Sequence, residues 1–177
     1  MRKHIRKAAV ATVLAAGAAL GGFAVTGTAQ ASEDSGFVDG TGGTHNDWSD
    51  EGTLQRGDES NAVALWQTVL VADGAKWKTS GGALRAFTED DIDGDFNGRT
   101  VSATRFWQQQ NGVRVTGKAD PRSFSVADNN LGAVGRRGTV SYDGSSDDAR
   151  FRRLTVGGVG PQVYFVTFDG SLVAASY

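Results

Sequence analysis

Asp91, Asp93, Asp95 and Asn97 alternate along the stretch DIDGDFNGRT, with Gly98 directly after them. Oxygen-bearing side chains at every second residue are what a calcium loop presents, with a glycine where the chain turns sharply. Counting from Asp93, the first, third and fifth ligand positions carry Asp93, Asp95 and Asn97, and Gly98 holds the sixth. The twelfth position, which brings a closing carboxylate in such loops, is Thr104, and the eighth, ordinarily aliphatic, is Thr100. Counting from Asp91 instead puts Phe96 where the glycine belongs. The same residues also form an acidic turn ahead of a helix, where carboxylates suit the helix dipole. The turn accounts for more of the residues. Asp91, Asp93, Asp95 and Asn97 stand as the alternative calcium set, and no cofactor is expected.

Other chemistries lack their ingredients. The chain has no cysteine, which excludes thiolate metal sites and a cysteine nucleophile and leaves the fold to packing alone. Of its two histidines, His4 lies in the basic opening and His45 in the Gly-rich, acidic GTGGTHNDWSDEG. No S-x-x-K or G-x-S-x-G sequence occurs. Carboxylates are plentiful but fall mostly in loops, so no enzyme is expected. "VSYDGSSDD" has serines and acids but reads as a turn.

The elements that must hold these residues begin after residue 31. MRKHIRK, then AAVATVLAAGAALGGFAV, then an A-x-A site at Ala29-Gln30-Ala31 describe a secretory signal peptide over 1–31. Cleavage there leaves 146 residues with 14 Lys and Arg against 20 Asp and Glu, a net charge of about −6. Such a balance argues against a nucleic-acid partner. No later segment is a membrane span.

Residues 32–53 read as a flexible acidic and Gly-rich linker, with Phe37 and Trp48 as isolated aromatics. Val63, Trp66, Gln67 and Leu70 share one helical face, with Ser60 as N-cap and Gly74 as stop. A second helix is expected from about Arg99 to Asn111, and a third where Asp120 caps and Pro121 takes the first turn. The polar insert 75–90 has Trp77, Leu84 and Phe87 as its anchors, with a short helix near Gly82–Phe87. From about residue 135 the period changes: GTVSY, ARFRRLTV, QVYFVTF and SLVAASY read as strands, and Asp169-Gly170 as a two-residue hairpin turn. Leu65, Val69 and Phe106, outside the main helical stripe, are the surfaces on which these strands should pack.

Three ordered motifs then resemble the peptidoglycan-binding-like domain family. Leu54, Gly57, Val63, Gln67 and Leu70 fit its first segment, with Ser60 and Trp66 as variants. Asp93, Gly94, Phe96, Thr100, Gln108 and Gly112 fit the second, with Asn97, Thr104, Trp107 and Val113 as variants. Gly117 and Pro121 fit the third, with Asp120, Ser123 and Phe124 in place of the family's residues. The departures are the long insert before Asp93 and the bulkier Trp66 and Trp107.

The resemblance implies a compact three-helix domain over 54–134; with the strand-like segments read as a small antiparallel β meander over 135–177, the chain is expected to be α+β. It implies peptidoglycan binding, and with the signal peptide and the missing catalytic ingredients the expectation is a secreted, cell-wall-associated, non-catalytic protein. Asp95, Arg99, Arg105 and Gln109, near the acidic turn and the second helix, are the candidate ligand-binding residues. A different reading makes the chain a protein-interaction scaffold or regulator of an exported enzyme, acting through the β-rich tail, with an exported protein as its partner.

Overall fold

The computed structural model describes residues 35–156 and 160–177. The expected signal peptide lies outside them, and among them no helix is long and apolar enough to cross a membrane. Three α-helices and a largely antiparallel sheet make the architecture α+β.

Helix α1 (Asn61–Ala72) starts because Ser60 accepts the Val63 N–H. Nearly every side chain of α1 is buried, from Ala62 and Val63 to Leu70 and Ala72. A helix apolar all round must be covered on all sides, and this one lies between α2 and the sheet. Helix α2 (Gly98–Gln110) is capped by Asn97, which accepts from Arg99 and Thr100 N–H. Helix α3 (Pro121–Ala127) is capped by Asp120, with Pro121 at its first turn.

Strands β4 (Thr139–Asp143), β5 (Asp148–Thr155), β6 (Gln162–Phe168) and β7 (Ser171–Ala174) pair antiparallel in succession. Phe168 faces Ser171 across the last hairpin, and both Asp169 and Gly170 have positive φ, as a type I′ turn requires. Leu65 and Val69 are fully buried, and α1 contacts β4, β5, β6 and β7. Phe106 packs differently: it is half-buried and lies under Lys76 of the insert, 6.0 Å from ring centre to Nζ.

Two expectations need correction. The insert contains no helix near Gly82–Phe87; β2 (Lys76–Lys78) and β3 (Leu84–Ala86) form a hairpin there. The loop residues Thr79-Ser80-Gly81-Gly82 are a turn signal, and the Gly82 N–H closes on the Thr79 carbonyl. Residues 35–53, expected as a linker, are packed structure. Strand β1 (Asp39–Gly40) pairs with β6 beyond the end of β7. Trp48 is wholly buried, stacked on Tyr142 at 6.4 Å and edge-on to Phe124, Phe151 and Tyr164.

Polar ties hold that segment where apolar period is missing. Asp47 accepts from Arg153 Nη2 (3.1 Å) and from the Tyr164 hydroxyl (2.6 Å), and Arg153 also donates to the Gly42 carbonyl. Arg153 and Asp47 are both buried, so neither charge could remain there without the other. Burial raises the Tyr164 hydroxyl pKa, and the hydrogen bond and charge of Asp47 raise it further.

One hydrophobic core runs through both the helices and the strands. Trp107 meets Trp66 edge-on at 5.1 Å, Trp66 meets Phe124 at 5.2 Å, and Phe124 meets Trp48. The β4–β5 turn also seals the end of α1. The Ala72 carbonyl accepts the Ser146 and Asp147 N–H groups, and Asp73 Oδ1 accepts the Ser145 N–H. Gly144 is required in that turn, since a Cβ there would lie 2.4 Å from the Ala72 carbonyl oxygen.

Candidate functional site

Two glutamines organise the region around the acidic loop. Gln67 of α1 accepts, through Oε1, the N–H groups of Asp93 (3.0 Å) and Gly94 (2.8 Å). Its Nε2 donates to Asp93 Oδ1 (2.8 Å), the Asp95 carbonyl (3.0 Å) and Thr100 Oγ1 (3.1 Å). Gln108 of α2 repeats the pattern one helix later. Its Oε1 accepts the N–H groups of Thr116 (2.8 Å) and Gly117 (2.9 Å). Its Nε2 donates to Thr116 Oγ1 (3.0 Å), the Lys118 carbonyl (2.8 Å) and Ser123 Oγ (2.9 Å).

Each glutamine is buried and staples the turn that launches the following helix. Gly94 and Gly117, the second residue of each turn, have φ of 72° and 75°. The strap 54–60, which turns at Arg56–Gly57, binds both stapled turns. Leu54 and Ala119 exchange backbone hydrogen bonds at 2.9 Å, while Ser60 N–H donates to the Gly94 carbonyl and Phe96 N–H to Asp58.

The four residues of the calcium alternative serve this turn. Asp93 accepts from Gln67, from the Asp95 N–H and from Asn97 Nδ2. Asn97 Oδ1 caps α2, and Asp91 accepts from Arg99 Nη1 (2.9 Å) and the Thr88 N–H. Burial raises the Asp95 pKa, and the negative charges of Asp93 and Glu59 raise it further. Among the described residues, no group of three or more His, Asp or Glu is placed to hold a metal ion.

The four candidate ligand-binding residues do not form one continuous face. Arg99 is exposed and lies over the Trp77 ring of β2, 5.1 Å from its centre, while also paired with Asp91. The hairpin occupies the middle of the helix face between Arg99 and Arg105, where the Lys78 N–H donates to Ser102 Oγ (2.8 Å). Arg105 and Gln109, one turn apart and exposed, lie to the far side. Arg105 packs over Gly117, where an added Cβ would come within 2.7 Å of its Nε. Asp95 is half-buried, and its carbonyl serves Gln67 and Thr100.

What the sequence reading missed is the hairpin's contribution. Trp77 and Arg85 are directly paired across β2 and β3 and so share a face, the one on which Arg99 stacks. The alternation Lys76-Trp77-Lys78, followed by a Gly-Gly turn, was the available signal. The result is an aromatic ring stacked with the Arg99 guanidinium, with Arg85 as its cross-strand partner, beside an acidic turn.

Residues 80–125 match the model of a family described as "Putative peptidoglycan binding domain". The matched span runs from the β2–β3 loop through α2 into α3 and contains both stapled turns, though not α1 with Gln67. This segment is therefore similar to peptidoglycan-binding domains, and the similarity points to peptidoglycan as partner and to association with the cell wall. No curated protein and no solved structure matches the chain.

Proposed function

We propose that this is an exported, non-catalytic protein that binds cell-wall peptidoglycan with the face formed by the β2–β3 hairpin, the first stapled turn and α2. The observation that carries the reading is the family match across both stapled turns. Trp77 offers a ring on which a sugar face can stack, and Arg85 and Arg99 offer planar donors for carboxylates of the polymer's peptide. Asp95, Arg105 and Gln109 extend the polar surface to either side. The three-helix arrangement supplies the scaffold and the strands brace it from the other side of α1.

Mixing the purified protein with insoluble cell walls and sedimenting them tests this directly. Recovery in the pellet is expected, reduced at least tenfold in apparent affinity by Trp77→Ala together with Arg99→Ala. Complete recovery of the unaltered protein in the supernatant rejects wall binding.

A further inference from the structure

A cleft of about 650 Å³ opens where the helices meet the sheet, between α1, the 3-10 turn Glu89–Asp91 and the β6–β7 hairpin. Its floor is apolar, made by Val71 of α1, Ile92, and Val166 and Phe168 of β6. Thr68 adds a hydroxyl whose own proton goes to the Ala64 carbonyl at 2.9 Å, so toward the cleft it acts as an acceptor.

The rim is carboxylate: Glu89, Asp147, Asp148 and Asp169, all exposed, against the single cation Arg150. Among the described residues the ion pairs are Arg99–Asp91 and Arg153–Asp47, so Arg150 makes no ion pair with any of the four, and four carboxylates face one cation. An apolar trough under a negative rim is complementary to one kind of group, a positive charge carried on an alkyl stem. The stem lies on the floor and the charged head stays at the wet edge. The volume is that of a small-ligand site and too small to seat a folded domain.

We infer that this cleft receives an amine-bearing alkyl side chain of the stem peptide of peptidoglycan. The inference rests on the wall-binding reading, and it assigns a second contact to the same polymer, on the opposite side of the 89–92 loop from Trp77. Asp91 of that loop holds Arg99 on one side, while Glu89 and Ile92 line the cleft on the other. The family match covers 80–125 and includes none of the five-stranded sheet, so β5, β6 and the turns around them complete this site against Glu89 and Ile92 of the matched module.

The probe is the tripeptide L-Ala-γ-D-Glu-L-Lys with its N-terminus acetylated, titrated into the full protein while amide chemical shifts are followed. Shifts are expected at Thr68, Val71, Ile92 and Val166, with binding at least tenfold weaker for the form acetylated on the lysine amine. The double variant Glu89→Gln/Asp148→Asn and, separately, Thr167→Lys, which places an amine of the protein's own in the cleft, should each abolish those shifts. Thr167→Lys guards against a double variant that loses binding merely by misfolding.

Equal binding of the two tripeptide forms, or no shift at the cleft, overturns the inference. Tighter binding of a tetralysine peptide than of the tripeptide also overturns it, and points to a basic segment of a protein partner. Sedimentation with walls is read separately. Walls that retain the unaltered protein while the tripeptide fails to bind it reject the cleft alone, and walls that retain nothing reject the parent reading.

Discussion

The turn before α2 and the turn before α3 are built on the same plan and carry different surroundings. Asp93 corresponds to Thr116, Gly94 to Gly117, Asn97 to Asp120, Arg99 to Arg122 and Thr100 to Ser123, and each set is gathered by a buried glutamine of the preceding helix. The interior of the two turns is nearly interchangeable. Their outer residues are not. The first carries Asp91, Asp93 and Asp95 and faces a hairpin with an aromatic ring, whereas the second carries Lys118 and is overlaid by Arg105. Phe96 and Ala119 differ for a packing reason: Phe96 fills core, while Ala119 sits tight against the strap through its paired bonds to Leu54. The shared part of the pattern is thus a folding device, and whatever distinguishes a binding surface lies in what is hung outside it.

The largest effect should come from removing the staples. Gln67→Leu and Gln108→Leu each leave two turn N–H groups without an acceptor, at about 1–3 kcal/mol per buried group. Thermal melts should therefore show losses of roughly 3 kcal/mol or more for each. Similar losses would establish the two turns as equivalent in stability; a loss confined to one would break the comparison.

Next come the glycines. Gly94→Ala and Gly117→Ala share the left-handed backbone penalty of about 1–2 kcal/mol. Their surroundings differ, since a Cβ at Gly94 meets the Ser60 carbonyl and the Phe168 ring, whereas one at Gly117 meets the movable Arg105 side chain and Val101. Gly94→Ala should melt lower than Gly117→Ala, and the reverse order would contradict the packing described.

Arg99 and Arg122 test function rather than stability. They occupy the same position in the two turns, both exposed. Arg99→Ala should weaken sedimentation with walls several-fold, while Arg122→Ala should leave it unchanged. Equal effects would mean that binding does not follow the hairpin.

A smaller effect is expected from pH. Burial pushes the Asp128 carboxyl up to about 6, outweighing the hydrogen bonds it accepts from the Asn46 and Asp47 backbone. Because the folded pKa lies above the unfolded one, this group favours the fold when protonated. Its contribution is complete below the unfolded value of 3.8 and is lost as pH rises through about 6. Burial raises Asp39 and Asp47 in the same direction. Melting temperature should rise from pH 7 to pH 5, by an amount equivalent to about 1 kcal/mol for Asp128. Asp128→Asn should flatten that rise.

Much of the helical part was legible from local signals: the apolar spacing of the first helix and the caps Ser60 and Asp120 are as expected, while Asn97, read only as part of the acidic loop, caps α2. The Asp169-Gly170 turn was legible for the same local reason. Residues 35–53 were not, because nothing local holds them. Trp48 is enclosed by rings from Phe124 to Tyr164, and Asp47 is fixed by Arg153, all remote in sequence. The hairpin was missed because Leu84-Arg85-Ala86, short and fully exposed, has no buried face to alternate against. Of the site, Arg99 could be picked out from the acidic turn, but its aromatic partner Trp77 is supplied by an insert without a helical or strand period.

The disposition of the four tryptophans has a practical consequence for optical experiments. Trp48, Trp66 and Trp107 are sealed in one aromatic chain, so their emission should be blue-shifted and should report on global unfolding as a single signal. Trp77 alone is half-exposed and lies against a cation. Excitation at the red edge should select it, and quenching by iodide should reach it first. The protein thus contains two separable fluorophores, one that reads the fold and one that reads the surface proposed to meet the wall.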